Sequence, residues 1–278
     1  MNPSLLRSRI VTSLGLLSAI LGLLSAMLLV SACGDQRQAP ETYDWDRSAT
    51  ALVASRGYAG GNVPQMMRFL EREMGSGLVR VYGDGTLYYG EPQKLFERKL
   101  DEDAMQALFQ GMRPDLFDGY EEEYQASLVT DAPTTDVQVA VKVYGSHEIG
   151  IYALGAVDDA SKGSVPDSLL KAAEALAKLR VGGEVHEPTK LRLGANSIDL
   201  KHYPEFDAAT IAPWPIDSID LSKTSFYENK TLRIEDPATL AAVLKAVPAI
   251  GQHEWRPTPT SVFSQGGQFY HVVWAISL

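Results

Sequence analysis

A single cysteine, Cys33, is all the thiol the chain holds, which excludes an intramolecular disulfide and a cysteine-pair zinc site. Histidine is nearly as scarce. His147, His186, His202, His253 and His271 are scattered, with no two at i,i+3 or i,i+4 and no His-Glu-x-x-His. Each is expected on the surface or in packing, and His271, inside an apolar run, is expected to be buried and hydrogen-bonded. Gly75-Ser76-Gly77 lacks the Gly-x-Ser-x-Gly spacing of a nucleophile elbow, and Gly57, Gly60 and Gly61 form neither Gly-x-Gly-x-x-Gly nor a P-loop. Basic charge is short too: 25 Lys and Arg stand against 35 Asp and Glu, a net charge of −10. That balance argues against nucleic acid as a partner and against a body lying flat on anionic lipid. No cofactor is expected.

Acidic residues are missing altogether before Asp35. Arg7 and Arg9 supply a positive start, and Ile10 to Ala32 carries no charge. A basic n-region, an apolar stretch and small residues before a cleavage point describe a secretory signal over residues 1–32, to be set aside in reading the fold. Leu29-Val30-Ser31-Ala32-Cys33-Gly34 resembles the lipobox of bacterial lipoproteins, in which the cysteine is acylated and becomes the mature N-terminus. Two rivals stay open: an uncleaved signal anchor, since a spanning helix needs ~20 apolar residues, and free secretion with Cys33 incidental. Lipidation is favoured because an odd exposed thiol in a secreted chain invites oxidation or unwanted pairing. A diacylglyceryl cysteine brings the two acyl chains that stable anchoring needs. The expected location is the cell membrane or outer membrane, on the extracytoplasmic face, with Cys33 as the membrane contact.

Removal of residues 1–32 takes Arg7 and Arg9 and no acid, carrying the net charge from −10 to −12. The 246 residues left suffice for one large or two small domains. Residues 33–47 are polar, aperiodic and contain Pro40, and read as a flexible spacer. Residues 48–182 and 183–278 then read as two α+β subdomains, possibly similar to one another, with the break at Val181 to Pro188. Asp84-Gly85 between Leu78–Tyr82 and Thr86–Tyr89 marks a hairpin. A second hairpin is expected from Asp136–Tyr144 and Glu148–Leu154 around Gly145-Ser146, with Val137, Val139, Val141 and Val143 on one buried face. Helices are expected over Glu102–Met112 with Asp101 as cap, over Pro166–Arg180 with a Ser164/Asp167 capping box, and after Asp236-Pro237. Lys190–Leu193 and Ser197–Leu200 read as two strands around Gly194-Ala195-Asn196. Tyr203-Pro204 through Pro213-Trp214-Pro215 reads as surface loop, and Phe269–Ile276 as a central strand. The fold class predicted is α+β, antiparallel hairpins packed against about three amphipathic helices.

Chemistry is thin. Asp115, Asp118 and Glu121, within an acidic run that includes Gly119, are a weak calcium candidate, and their spacing misses the EF-hand pattern. Trp214, Trp255 and Trp274 are able to stack on sugars but are expected as core or loop anchors. Several landmarks together resemble a group of uncharacterised bacterial lipoproteins. They are Gly57-Tyr58 with Val63-Pro64, Val81-Tyr82-Gly83-Asp84-Gly85-Thr86, Thr130-Asp131-Ala132-Pro133-Thr134-Thr135 and Ile151-Tyr152-Ala153-Leu154-Gly155, with Glu187-Pro188-Thr189 and Pro213-Trp214-Pro215 further on. Gly57-Tyr58 departs from the Gly-Gly-Phe of those relatives. The resemblance implies an extracytoplasmic lipoprotein and brings no activity and no functional residue. The function expected is therefore a non-catalytic binding or envelope-associated module of unknown ligand. An inhibitor of extracellular proteases and a hydrolase with a dispersed site are the alternatives.

Overall fold

A computed structural model of the chain describes residues 38–61, 78–91, 93–127, 129–154, 165–228, 230–249 and 256–278. Two compact units divide the chain, Met1–Ala39 and Pro40–Leu278, and nearly all of the first lies outside the described residues. The signal segment, Cys33, Val63-Pro64, Gly75-Ser76-Gly77, Gly155, Ser164, His253 and Trp255 lie outside them as well. Among the described residues no helix is long and apolar enough to cross a membrane.

The Pro40–Leu278 unit is α+β, as its hairpins and helix caps indicate. In chain order it runs β1 (Leu52–Ala59), β2 (Leu78–Tyr82), β3 (Thr86–Glu91), β4 (Lys94–Lys99), α1 (Glu102–Met112), β5 (Glu123–Gln125), β6 (Thr134–Val141) and β7 (Gly145–Tyr152). It continues through α2 (Asp167–Lys178), β8 (Glu184–Val185), β9 (Leu191–Ile198), β10 (Leu232–Ile234), α3 (Pro237–Ala246), β11 (Val262–Gln265) and β12 (Gln268–Ile276). An eight-stranded sheet has the order β5-β7-β6-β1-β2-β3-β4-β8 and a four-stranded sheet the order β10-β9-β12-β11. Among the described strands, β5 pairs with β7 in parallel and the other pairings are antiparallel. Among the described residues the two sheets differ in size and strand order.

Helix α1 forms where its caps say it should. The Asp101 side chain accepts from the Ala104 amide at 2.8 Å, and Glu102 and Asp103 in the first turn suit the positive end of the helix dipole. Met105, Leu108, Phe109 and Met112 recur at helical spacing and are all buried. Helix α2 buries Leu169, Ala172, Ala173 and Leu176 the same way, and a Cβ on Gly111 of α1 would touch the Ala175 side chain at 3.8 Å. The two helices and the inward face of the large sheet share one core, with Val79, Val81, Val137 and Val139 on the sheet side. Position 166 caps α2 without any side-chain bond.

A second core fills the small sheet, around Leu193, Val272, Trp274 and the α3 residues Leu240 and Val243. Asp236 and Pro237 start α3 as expected, the Asp236 carboxylate accepting from the Thr239 amide at 2.8 Å. Two large-sheet residues, Leu78 and Leu95, belong to this second core. They flank Gly90 in the β2-β3-β4 ladder, Leu78 opposite Gly90 and Gly90 opposite Leu95, so all three share one face. Sequence periodicity gives no hint of this seam, because it joins strands on the face turned away from α1 and α2.

Several expectations need correction. Lys190–Leu193 and Ser197–Leu200 are not two strands: β9 runs unbroken through Gly194-Ala195-Asn196 and pairs with β12 along eight residues. The second hairpin turns at Lys142–Tyr144, earlier than Gly145-Ser146, so Val143 sits in the turn and is 78% exposed while Val137, Val139 and Val141 are buried. Strands β4, β5, β8 and β11 went unread. The charged pattern of β4, Lys94 to Lys99, hid a strand whose single fully buried side chain is Leu95.

The expected spacer also ends early. Tyr43 is 3% and Trp45 1% exposed, both packed on Phe109 of α1 with ring centroids 6.1 Å and 5.1 Å away. The Trp45 indole donates to the Gly83 carbonyl at 2.9 Å, and Gln106 brackets the Tyr43 backbone with one bond to its N–H and one to its carbonyl. A Cβ on Gly83 would stand 1.7 Å from the Asp46 carbonyl oxygen, so only glycine admits the segment. The Tyr43 hydroxyl donates to buried Asp115 at 2.5 Å, and the Arg113 guanidinium holds the same carboxylate at 2.8 Å. Truncating a buried tryptophan costs about 3–5 kcal/mol, enough to keep so short a segment docked.

Burial pushes the Asp115 carboxyl up, yet the bonds from Arg113 and Tyr43 outweigh it and hold the group below its usual range. Burial, with the bond to Asp115 behind it, pushes the Tyr43 phenol above its usual value. The Asp115 contribution to stability is therefore present above about pH 4 and lost as the pH falls further, and the Tyr43 contribution is present below about pH 10 and lost as the pH rises. We expect Tyr43→Phe to lower unfolding free energy by about 2 kcal/mol at pH 7, the worth of a hydrogen bond to a charged group. Urea titrations across pH check this, and the alkaline limb of the wild-type profile should shrink in the variant by the Tyr43 contribution.

Candidate functional site

The sequence-level candidates do not converge. Asp115 is committed to Tyr43 and Arg113, while Asp118 and Glu121 stand exposed on the loop that follows. Among the described residues no group of three or more His, Cys, Asp or Glu is placed to hold a metal ion. The calcium reading thus loses its first ligand to an internal ion pair. A different acidic cluster arises from pairing: Glu122, Glu123, Asp136 and Glu148 line a hollow on β5, β6 and β7. Burial, then Glu148 and Glu123, raises the Asp136 carboxyl above its usual value. The histidines scatter. His147 bonds the Tyr144 carbonyl at 2.7 Å, and His186 bonds Glu97 at 2.8 Å.

His271 is the exception, and the fold explains why. It lies on β12 opposite Asn196 of β9, so the two side chains share one face of the small sheet. Gly194, two residues back from Asn196, presents no side chain on that face. Phe226 fills the space: a Cβ at Gly194 would come within 3.0 Å of the Phe226 Cβ. The Phe226 N–H donates to Asn196 Oδ1 at 2.9 Å, and the Ser225 hydroxyl reaches the same oxygen at 3.4 Å. Phe226 then meets the His271 ring edge to face, centroids 5.9 Å apart at 86°. Asn196 fixes the loop, the loop places the ring, and the ring leans on the imidazole.

A cavity of about 780 Å³ opens beside this pair, with Asn196, His202, Tyr203, Tyr227, Arg256 and His271 in its wall. Its size lies within the range usual for ligand pockets. Asp199 and Glu205 add carboxylates, the first already accepting the Lys201 amide at 3.0 Å. Tyr227 is 58% exposed, its ring 4.8 Å from that of Phe226. Burial, with Tyr203 behind it, raises the Tyr227 phenol. The most buried is His271, 4% exposed, whose Nε2 lies out of reach of solvent and has no hydrogen-bond partner within the protein. The expected burial is there, and at Nε2 the expected hydrogen bonding is not. Desolvation lowers its pKa to about 4, so the ring is neutral at pH 7.

The register also bears on nucleophilic chemistry. Ser197 borders the cavity but pairs with Tyr270, one residue out of step with Asn196 and His271. Alternation sends its side chain to the opposite face from the imidazole, which separates the serine of the cavity wall from the histidine there. No protein-family model, no curated protein and no solved structure matches the chain, so the cavity is understood from its own groups. Asn196, Phe226, Tyr227 and Arg256 were missed in the sequence. The available signal was the unbroken alternation of Leu191, Leu193 and Ala195 with Arg192, Gly194 and Asn196, which marks a strand rather than a turn.

A buried nitrogen with no partner costs stability, and a polar group replaced by an apolar one of similar size removes that cost. His271→Leu should therefore leave stability at pH 7 unchanged or raise it. Because the folded pKa is about 4 and the unfolded one about 6.5, the wild type keeps the neutral ring's full stability above pH 6.5. It should lose roughly 3 kcal/mol as the pH falls to 4. Urea midpoints at pH 7 and pH 4.5 check both, and the acid loss should shrink in the variant.

Proposed function

We propose that this chain is a lipid-anchored extracytoplasmic protein that binds a small ligand in the His271 cavity without turning it over. The observation that carries the binding half is a cavity of about 780 Å³ whose wall includes His271, a buried imidazole whose Nε2 has no partner within the protein. A buried donor or acceptor left open is costly, and such exceptions to local consistency gather at functional sites. The separation of Ser197 from His271 by strand register favours holding a ligand over attacking it.

The anchoring half rests on Arg7, Arg9, the uncharged run to Ala32 and the lone Cys33 in its small-residue context. With acylated Cys33 as first mature residue, ten peptide steps lead to Tyr43, a reach of at most about 35 Å. Tyr43 is fixed to Asp115, so the leash is short and the body works near the membrane surface, at the cell membrane or the outer membrane.

Metabolic labelling with a palmitate analogue, comparing wild type with Cys33→Ala, tests the anchor. Label and membrane retention are expected for wild type and neither for the variant; an unmodified Cys33 thiol or a retained 1–32 segment overturns it. A fragment screen on the purified full-length chain, read on the His271 ring by ¹⁵N–¹H NMR, tests the binding half. Fragments that shift that ring are expected, and a diverse library that leaves it unmoved ends the idea.

A further inference from the structure

Two loops bring aromatic rings and carboxylates to the cavity: Asp199, Tyr203 and Glu205 follow β9, and Tyr227 precedes β10. Each tyrosine ring is backed by a phenylalanine. Tyr203 stacks on Phe206 with centroids 5.9 Å apart at 30°, and Tyr227 tilts against Phe226 at 4.8 Å. Phe226 is itself tied to β9 through Asn196. Tyr227 is nonetheless 58% exposed, so a large ring is held in place with much of its surface uncovered. A ring ordered in advance offers a ligand contact area at little entropic cost. Burial, then the Tyr203 phenol, raises the Tyr227 phenol, in keeping with two rings beside one space.

The charge on the same wall has one sign left over. Asp199 accepts the Lys201 amide at 3.0 Å, and neither Asp199 nor Glu205 has an ion-pair partner among the described residues. Arg256 lies in the wall but already has an interaction of its own. Desolvation leaves the His271 ring uncharged at pH 7. Two carboxylates thus stand uncompensated on a concave surface, in a chain whose net charge is −10. Such a surface gathers cations. On the reading that this cavity takes a ligand, we propose that the ligand is an organic ammonium cation, held by the rings of Tyr203 and Tyr227 and by the carboxylates of Asp199 and Glu205.

The rival chemistries fit less well. An anion draws its strength from cationic donors, and the one arginine here is already engaged while both carboxylates repel it. A bare metal ion wants several oxygens closing around it. Among the described residues no group of three or more His, Cys, Asp or Glu is placed to hold one, and the two acids share their wall with aromatic rings. An alkylammonium group asks for what is present: a ring face that attracts it through the quadrupole, and a carboxylate within range of its charge. A neutral molecule of the same shape keeps the ring contact and forgoes both attractions, which makes the matched pair the decisive comparison.

The purified full-length chain, in a detergent without a choline headgroup, is titrated at about pH 8, where ordinary histidines are neutral. Choline and putrescine are each set beside an uncharged isostere, dimethylbutanol and butanediol, with inorganic phosphate as the anion. Calorimetry reads affinity, and proton NMR reads the ligand's own resonances, which a ring face shifts upfield. At least one ammonium probe should saturate at millimolar concentration or below, bind roughly tenfold more tightly than its isostere, and weaken with added salt. Tyr227→Ala should cost that probe about fivefold. Asp199→Asn combined with Glu205→Gln, in which Asn keeps the Asp199 turn cap, should bring it down to the level of its isostere, with folding confirmed by circular dichroism. Equal affinity for probe and isostere overturns the proposal, and so does binding of phosphate or screened fragments without either ammonium probe; in both cases the cavity stands as a binding site of another class. If no probe and no fragment binds, both readings fall. Ammonium affinity unchanged in both variants places the binding elsewhere and overturns the proposal too.

Discussion

The pairing of β9 with β12 is the constraint on which the small sheet depends. Eight rungs, from Phe269 opposite Ile198 to Ile276 opposite Leu191, fix which side chain goes to which face. One face sends Leu193, Ala195, Val272 and Trp274 into the second core; the other presents Gly194, Asn196 and His271 together. A slip of one residue would exchange the two sets, putting a polar pair in the core and aliphatics in the cavity. The Trp274 indole bond to the Val247 carbonyl at 2.8 Å locks the register from the helix side, and the Asn196 bond to Phe226 locks it from the loop side.

What the sequence disclosed follows from the range of each interaction. Helix α1 was legible to the residue because its signals are local: Asp101 in front, and Met105, Leu108, Phe109 and Met112 along one stripe. The β2–β3 hairpin was legible for the same reason, through Asp84-Gly85. Strand β9 was misread because Gly194 looked like a turn, whereas its hydrogen side chain makes room for Phe226, 32 positions later. A glycine chosen for a distant neighbour and a glycine chosen for φ look alike in one dimension. Leu78 and Leu95 hid their role likewise, since each joins a core built by strands more than ninety residues downstream.

The candidate site was illegible for a further reason. Its residues come from β9, β12 and the loops between, and no two of its key groups have a spacing that local chemistry would single out. His271 was read as a buried packing histidine, which its burial supports; only the structure shows that the nitrogen inside has no bond. A chain that keeps an unsatisfied imidazole where leucine would fit holds stability in reserve against some other requirement. Asp115 teaches the reverse lesson. It looked like a ligand on the strength of its acidic neighbours and proves to be a structural partner of Tyr43 and Arg113.

The docking of Tyr43 and Trp45 has a consequence for the order of events in folding. The Tyr43 bond to Asp115 spans 72 positions, and the ion pair of Asp44 with Lys142 spans 98. Contacts of such separation close late, since loop entropy must be met before they form. The residues that lead the compact unit in sequence therefore lock among the last, once α1 and the β6–β7 turn have presented their surfaces. Until then two large aromatic rings stay uncovered, and that interval is when the nascent body is most open to proteases and to association with its own kind.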